Sequence, residues 1–586
     1  MKRRAINMTL RNETDLRRPE FMPARELSIL IVGLDGATFD LMLPWIDEGH
    51  LPNLGRLLAN GTRSRLESTI PPITPCAWSS FITGKNPGKH GLFDFVEPEW
   101  DGSGFRFTNA SFRDGESLWA CLSRHGRRVG VVNVPMTYPP EPVNGFLISG
   151  LDTPHEHSPF MHPVEIRQVL KDAGIRYRID QQHLGNMRTN ERRRKQLLDI
   201  FEGETSRTAA FRHLSQLRPC DFRMIVYGAT DQVQHHFWHF MDAAHDKHDA
   251  EGAKEFRHAI RDTYQHIDVQ LGQLLDECDD NTVVIIMSDH GFGPMSNVRV
   301  RLNQVLRDAG LLKFVESTAR GRWKQALAST VDRVLRSSLS SDTKRTIAGV
   351  FPRLRVWFEN LDEAKIDWES TSAHVNEAYR SSPAVWLSRR NGGFNGRRLE
   401  LREQVEDVLL SLVDPATGEK LISNCFRPDE IYHGPHTDKA PELLPSWWQD
   451  GFLIEQSVPS KNGPPNVERS TTPLQGGVEF AASHRLDGVL MLSGGPIREG
   501  HVFTDAQIVD VAPTVLYLMG LPVPEDMDGR VLTEAIDEDF VANNPVCTER
   551  LDDSFDEGVA TEVRHGFTEQ ESELIAQRLQ ALGYIQ

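Results

Sequence analysis

At 586 residues, with 39% apolar and 25% charged side chains, the chain has the make-up of a globular protein, large enough for one α/β domain with insertions or for two to four smaller domains. A net charge of −18 argues against a general nucleic-acid binder, which needs a basic surface to meet phosphates, but not against a small anionic substrate held through metal ions. No window reaches the apolar length of a membrane span, and the basic first 26 residues lack the apolar run of a secretory signal.

Beyond that N-terminal tail, short apolar runs read as buried strands: Leu27 to Gly36, Arg128 to Val134, Gly145 to Gly150, Phe222 to Asp231, Thr282 to Gly291 and Gly488 to Gly495. Amphipathic helical stretches lie between them, so the expected fold is α/β, a mostly parallel central sheet with helices on both faces. A first part of the core is expected over 27–300 and a second over 476–535. Between them, 301–367 has helical periodicity and positive charge, as a cap over an anionic substrate or as a solvated helical insertion. The stretch 368–475 reads as a smaller region of strands and turns in which Trp447 and Trp448 line a pocket or pack inside. The basic run Glu191 to Gln196 reads as a solvated helix face. An acidic linker is expected over 536–566, followed by a helix whose Thr568 and Glu571 have capping-box spacing. Its Leu574, Ile575, Leu579 and Leu582 would dock on the core or on another subunit in a homo-oligomer. The six cysteines, scattered without a short-spaced pair, point to a reducing, cytoplasmic setting.

In a parallel sheet, ligands collect outside the carboxyl ends of the strands. Asp35, Asp231, Asp289 and His290 all fall at such ends. A single aspartate there is ordinarily a helix N-cap, but three strands delivering carboxylates to one edge suggest a site. His235 follows Asp231 by four residues, one helical turn, which selects it over His236 and His239. His484 stands just before the last strand. Three carboxylates and three imidazoles without thiolate suit two divalent ions, zinc foremost and manganese as an alternative, which about 4 Å apart would clamp the oxygens of a displacement at phosphorus. Thr74 lies between Pro72 and Pro75 in PPITPCAWSSFITGKNPGKHG (Pro71 to Gly91), at the start of a helix-like stretch. Its hydroxyl either caps that helix or, with its pKa lowered by a cation, serves as a nucleophile.

The segments GLDGATFD, PPITPCAWSSFITGKNPGKHG, TDQVQHHFW, SDHGFG, SHRLDGVLMLSGGPI and IVDVAPTVLYLMGLPVPEDMDGR occur in the order found in the alkaline phosphatase superfamily. The chain resembles its branch of type I phosphodiesterases and nucleotide pyrophosphatases, and within it the bacterial phosphohydrolase/phosphomutase-like proteins. The resemblance implies one ion held by Asp231, His235 and His484, a second by Asp35, Asp289, His290 and Thr74, and a covalent phospho-threonine on Thr74 that water then hydrolyses. It implies a small phosphorylated substrate (a nucleotide, sugar phosphate or lipid head group) and phosphodiesterase or phosphatase activity, with phosphomutase or nucleotide pyrophosphatase chemistry as alternatives. A metal-binding scaffold would be the non-catalytic one. Where nucleotide pyrophosphatases place an oxygen-holding Asn, this chain has Phe95 beside Asp94. The sulfatase branch is disfavoured because Cys76 is followed by Ala77 and Trp78. Arg389, Arg390 and Asn391 are candidate substrate contacts from the smaller region.

Overall fold

The computed structural model describes residues 27–98, 105–179, 187, 189–314, 366–376, 383–388, 397–449, 451–455, 465–470, 480–550 and 566–582. Its central sheet contains β1 (Ser28–Leu34), β2 (Gly61–Glu67), β3 (Val129–Val134), β4 (Gly145–Ser149), β5 (Met161–His162), β6 (Phe222–Tyr227), β7 (Thr282–Met287), β10 (Asp487–Ser493), β11 (His501–Val502) and β12 (Ala506–Gln507). A separate ribbon pairs β8 (Gly291–Pro294) with β9 (Ala482–Arg485). The sheet order is β11-β2-β10-β7-β1-β6-β3-β4-β5, with β12 also on β2. Strands β7, β1, β6, β3 and β4 are parallel. β10 is antiparallel to both β7 and β2, so β2 runs with the parallel set.

The apolar runs are continuous because both faces of the sheet are covered. Along β1, Leu30, Val32 and Leu34 face one core, and Ile29 and Ile31 face the other. The same alternation runs along β7, with Val284 and Ile286 on the first face and Val283, Ile285 and Met287 on the second. The first face is covered by α2 (Asn190–Leu217), α3 (Ala229–Met241) and α4 (Ala259–Leu275). The second is covered by α1 (Thr74–Thr83) and α5 (Val511–Leu518).

Three expectations change. The run from Gly488 to Gly495 is a strand, but an antiparallel one. Burial on both faces makes its pattern the same as that of its parallel neighbours. β2, GTRSRLE, is a strand without an apolar run, because polar residues alternate along it. The smaller region, expected over 368–475, has its own core, and Val298, Val300, Leu302, Leu306, Leu311 and Leu312 already belong to it. It therefore begins within the end of the expected first core part and takes in the start of the stretch expected as an insertion over 301–367. Trp447 and Trp448 pack inside this core beside Phe452.

Part of the acidic stretch is built rather than a linker. Asp537 caps a helix over Glu538–Asn543, and Thr548–Glu549 pairs in parallel with Val523–Pro524. The C-terminal helix α6 (Glu569–Leu582) starts with the expected box. Thr568 N and Oγ1 donate to Glu571 Oε2 at 3.0 and 2.9 Å, and Glu571 N donates to Thr568 Oγ1. It docks on its own chain. Ile575 and Leu579 are buried in the first core, and Arg578 donates to the carbonyls of Leu151, Thr153 and Pro154.

Candidate active site at the carboxyl edge of the sheet

The topology explains why distant residues meet. Asp35 follows β1, and Asp289 and His290 follow β7. Asp231 lies in the first turn of α3 just beyond β6, and the chain leaving β2 reaches Thr74, so four co-directional strands deliver them to one edge. His484 arrives differently. Phe292 of β8 lies directly opposite His484 of β9, which puts His290, two residues earlier, on the same face of the ribbon. The His290 and His484 rings stack with centroids 3.7 Å apart, and the edge of Phe292 meets the ring of His235 at 4.7 Å.

Each imidazole is oriented through its Nδ1. His235 Nδ1 donates to Ala482 O at 2.8 Å, His484 Nδ1 to Pro72 O at 2.9 Å and His290 Nδ1 to Gly291 O at 3.1 Å. A carbonyl only accepts, so these contacts place the proton on Nδ1 and turn every Nε2 toward the site as a lone pair. There His235 Nε2 and His484 Nε2 are 3.1 Å apart, and each is 3.3 Å from Asp231 Oδ1. His290 Nε2 is 3.2 Å from Asp289 Oδ2 and 3.7 Å from Asp35 Oδ1. Converging lone pairs and carboxylates repel one another unless a cation sits among them, and this donor set of oxygen and imidazole nitrogen fits a divalent ion. Two groups bring their ligand atoms within 4.8 Å of one another: Asp231, His290 and His484, and Asp35, Asp289 and His290. His290 belongs to both, and His235 adjoins the first through Asp231 and His484.

Burial shapes the charges. It holds His290 well below the ordinary imidazole value, reinforced by His484, and pushes the Asp289 carboxyl up to about 7 even though Gly36 N donates to it at 3.1 Å. Burial also raises Asp231, but with no ion bound a proton on His235 or His484 Nε2, at the place a cation would otherwise take, outweighs it and holds that carboxyl well below the usual range.

Thr74 is the first residue of α1. Ile73, not Thr74, is the N-cap, and no side chain caps the helix. The threonine hydroxyl instead lies 3.4 Å from His290 Nε2. His236 and His239 point elsewhere. His236 meets the Phe480 ring and His239 packs against Phe240, and burial drives each down to about 3. Cys76 is buried in the first turn of α1, its thiol pushed up to about 12 by burial. Asp94 Oδ1 accepts from Phe95 N at 2.6 Å, and Phe95 is part of the first core. Arg389, Arg390 and Asn391 lie outside the described residues.

Several supporting residues carry no sequence signal of their own. The N-cap of α3 is Gly228, which offers no side chain. Glu204 of α2 reaches across to accept from Ala229 N at 2.9 Å and pairs with the buried Arg207. Thr230 Oγ1 donates to Asp35 O at 2.6 Å and Gln234 Nε2 to Gly36 O at 2.8 Å, which ties α3 to the turn after β1. Gly36 sits at φ 65°, where a Cβ would come within 2.9 Å of the Phe292 ring. A third group, Cys121, His125 and Glu549, is unsuited to a cation. The Arg124 guanidinium lies 2.7 Å from Glu549 Oε1 and 3.5 Å from Cys121 Sγ, and burial pushes that thiol up to about 12.

Residues 29–415 match the family model of type I phosphodiesterase / nucleotide pyrophosphatase, and the chain belongs to that family, whose chemistry is phosphoryl transfer. Over 140 residues it is 28% identical to the 2,3-bisphosphoglycerate-independent phosphoglycerate mutase of Chromohalobacter salexigens, a match covering 22% of this chain and 26% of the relative's length. Among solved structures, murine ectonucleotide pyrophosphatase/phosphodiesterase 5 aligns with a TM-score of 0.45 at 12% identity, covering 87% of this chain and 100% of that one. The human protein of the same name gives 0.45 at 11% identity, covering 87% and 98%. Among the described residues, no helix is long and apolar enough to cross a membrane.

Proposed function

We propose that the protein is a metal-dependent phosphohydrolase that cleaves phosphate esters through a covalent phospho-threonine on Thr74. The observation that carries this reading is the convergence of three Nδ1-anchored imidazoles and three buried carboxylates beside one hydroxyl not used for capping. Asp231, His235 and His484 would hold one ion, and Asp35, Asp289, His290 and Thr74 the other, with zinc or manganese suited to these donors. Bound there, the ions supply positive charge that lowers the hydroxyl pKa and offsets charge on the phosphoryl oxygens. Thr74 Oγ1 releases its proton to solvent and attacks phosphorus, forming the P–O bond as the bond to the ester oxygen breaks, and that oxygen takes a proton from solvent. Water then attacks the same phosphorus and frees Thr74, so two inversions give retention. The substrate is a small phosphorylated molecule, and six free thiols suit a reducing, cytoplasmic setting.

A second reading, a phosphomutase that returns the phosphoryl group to another hydroxyl, draws on the partial identity to a phosphoglycerate mutase. The test is hydrolysis of nitrophenyl phosphate monoester and diester by protein loaded with zinc or manganese, with Thr74→Ala alongside. Preference for the diester with a dead variant supports a diesterase, and preference for the monoester supports a phosphatase. A phospho-enzyme that persists until a second alcohol is added supports the mutase. Turnover that survives in Thr74→Ala overturns the covalent mechanism.

A further inference from the structure

We propose that Trp78 is a positioning residue of this centre: its indole N–H fixes which carboxylate oxygen Asp35 presents to an ion. The inference rests on the reading of Asp35, Asp289 and His290 as a metal site, and it assigns to the nucleophile's own helix a role in shaping that site. Trp78 is completely buried, and an indole N–H is a donor only, so it must find an acceptor inside the protein. The acceptor is Asp35 Oδ2, at 3.2 Å. The other oxygen, Oδ1, is the one that faces His290 Nε2. A donor on one oxygen leaves the other as the ligand atom and opposes rotation of the carboxylate into a two-oxygen grip.

The indole is held firmly enough for this. It lies across β1 at Gly33, two residues before Asp35, where a Cβ would come within 2.7 Å of its Cη2 carbon and 2.8 Å of Val226. The strand forgoes a side chain at the point where the ring passes. The ring also meets Phe81 edge-on, with centroids 5.8 Å apart and planes at 88°. Trp78 also stands four residues after Thr74, one turn along α1. One helix face therefore carries both the hydroxyl and the N–H that aims the carboxylate, so the two move together.

The test uses the full-length protein and Co²⁺, whose visible bands report its coordination. Wild type, Trp78→Phe, a form with the N–H-lacking benzothienyl isostere of tryptophan at position 78, and Phe81→Leu as a packing control are each titrated against a chromophoric chelator. Melting of the metal-free proteins is followed in parallel. Hydrogen bonds to ligating groups from residues behind them are worth about 10–100-fold in metal affinity. The expected result is one of two cobalt equivalents weakened by about that factor, with shifted visible bands, in both position-78 forms. The isostere form should melt with wild type, and Phe81→Leu should keep wild-type affinity and bands. Wild-type affinity and spectrum in the isostere form would overturn the proposal, as would an equal loss in Phe81→Leu, which would assign the effect to packing. If wild type itself binds no cobalt, the metal-site reading falls and this inference with it, an outcome distinct from a wild type that binds beside an unaffected isostere.

Discussion

The carboxyl edge of the sheet and the face where the smaller region meets the catalytic body are held together in opposite ways. At the edge, buried carboxylates and imidazoles are oriented by backbone groups from both ends of the chain, and the like-natured atoms facing one another cost stability in the absence of a cation. At the docking face the contacts are complementary. Asp528, held inside the body by Asn86 N at 2.8 Å and by Lys89, pairs across the face with His433 of the smaller region. His436 likewise pairs across it with Asp114, and Tyr432 donates to Ile70 O. The apolar patch there is small, built around Phe93, Ala384, Tyr432, Ala440 and Leu444. The site is thus fixed by the body of the central sheet, and much of the smaller region's attachment runs through polar groups that water can replace, beside the packing of Ile70 and Leu486 on its core.

Removing a ligand from the edge is expected to give the largest effect. On the proposed two-ion reading, His484→Ala should lose one metal equivalent relative to wild type and lower turnover by about 10³-fold or more, measured by metal analysis beside a kinetic assay. The fold should survive, because in the proposed site the imidazole faces Asp231 and His235 at close range and its removal relieves that crowding. A variant that keeps two metals and full turnover would break the contrast. Glu204→Ala acts through support. It removes the carboxylate beside buried Arg207 and the acceptor at the start of α3, and should cost about 3–5 kcal/mol in urea unfolding. Metal affinity should fall as well, because α3 carries Asp231 and His235.

Between these extremes lies a pH effect away from the metal groups. Asp152 is buried where its carboxyl accepts from Tyr138 N and Thr137 N, and burial, only partly offset by those amides, raises it to about 6. A folded value above the unfolded one of 3.8 means that the folded state binds more protons. Stability is therefore greatest below the unfolded value and falls as pH rises from about 4 to about 6, by about 3 kcal/mol, and is flat for this group above that. Urea unfolding across pH 4–7 should show that fall in wild type and a shallower one in Asp152→Asn.

Much of the edge was legible because its chemistry is local in sequence. Asp231 and His235 are one helical turn apart, Asp289 and His290 are adjacent, and each stands at the end of an apolar run. What joins them is not local. The ribbon that stacks His484 on His290, the Glu204 cap supplied by another helix and the Trp78 contact to Asp35 link positions separated by 25 to 194 residues, and no periodicity records them. β10 was legible as a strand but not in its direction, because burial on both faces gives parallel and antiparallel strands the same pattern. The docking face was the least legible part. Aspartates and histidines in turns read as solvated until the fold pairs them.

The docking face yields a smaller effect than the edge, and a differently distributed one. In Asp528→Asn the acceptor toward Asn86 survives, but the charge facing Lys89 and His433 is lost. Because His433 is largely exposed, its share is screened by water. A cost of about 1–2 kcal/mol is expected, shared between the attachment of residues 432–439 and the Asn86 to Gly91 turn that Lys89 anchors, with the central sheet unaffected. Hydrogen exchange should therefore quicken in that segment and in Asn86 to Gly91, while β1 and β7 keep their protection. If exchange rose equally in β1, the two regions would be one cooperative unit, and the distinction between a rigid edge and a replaceable attachment would fail.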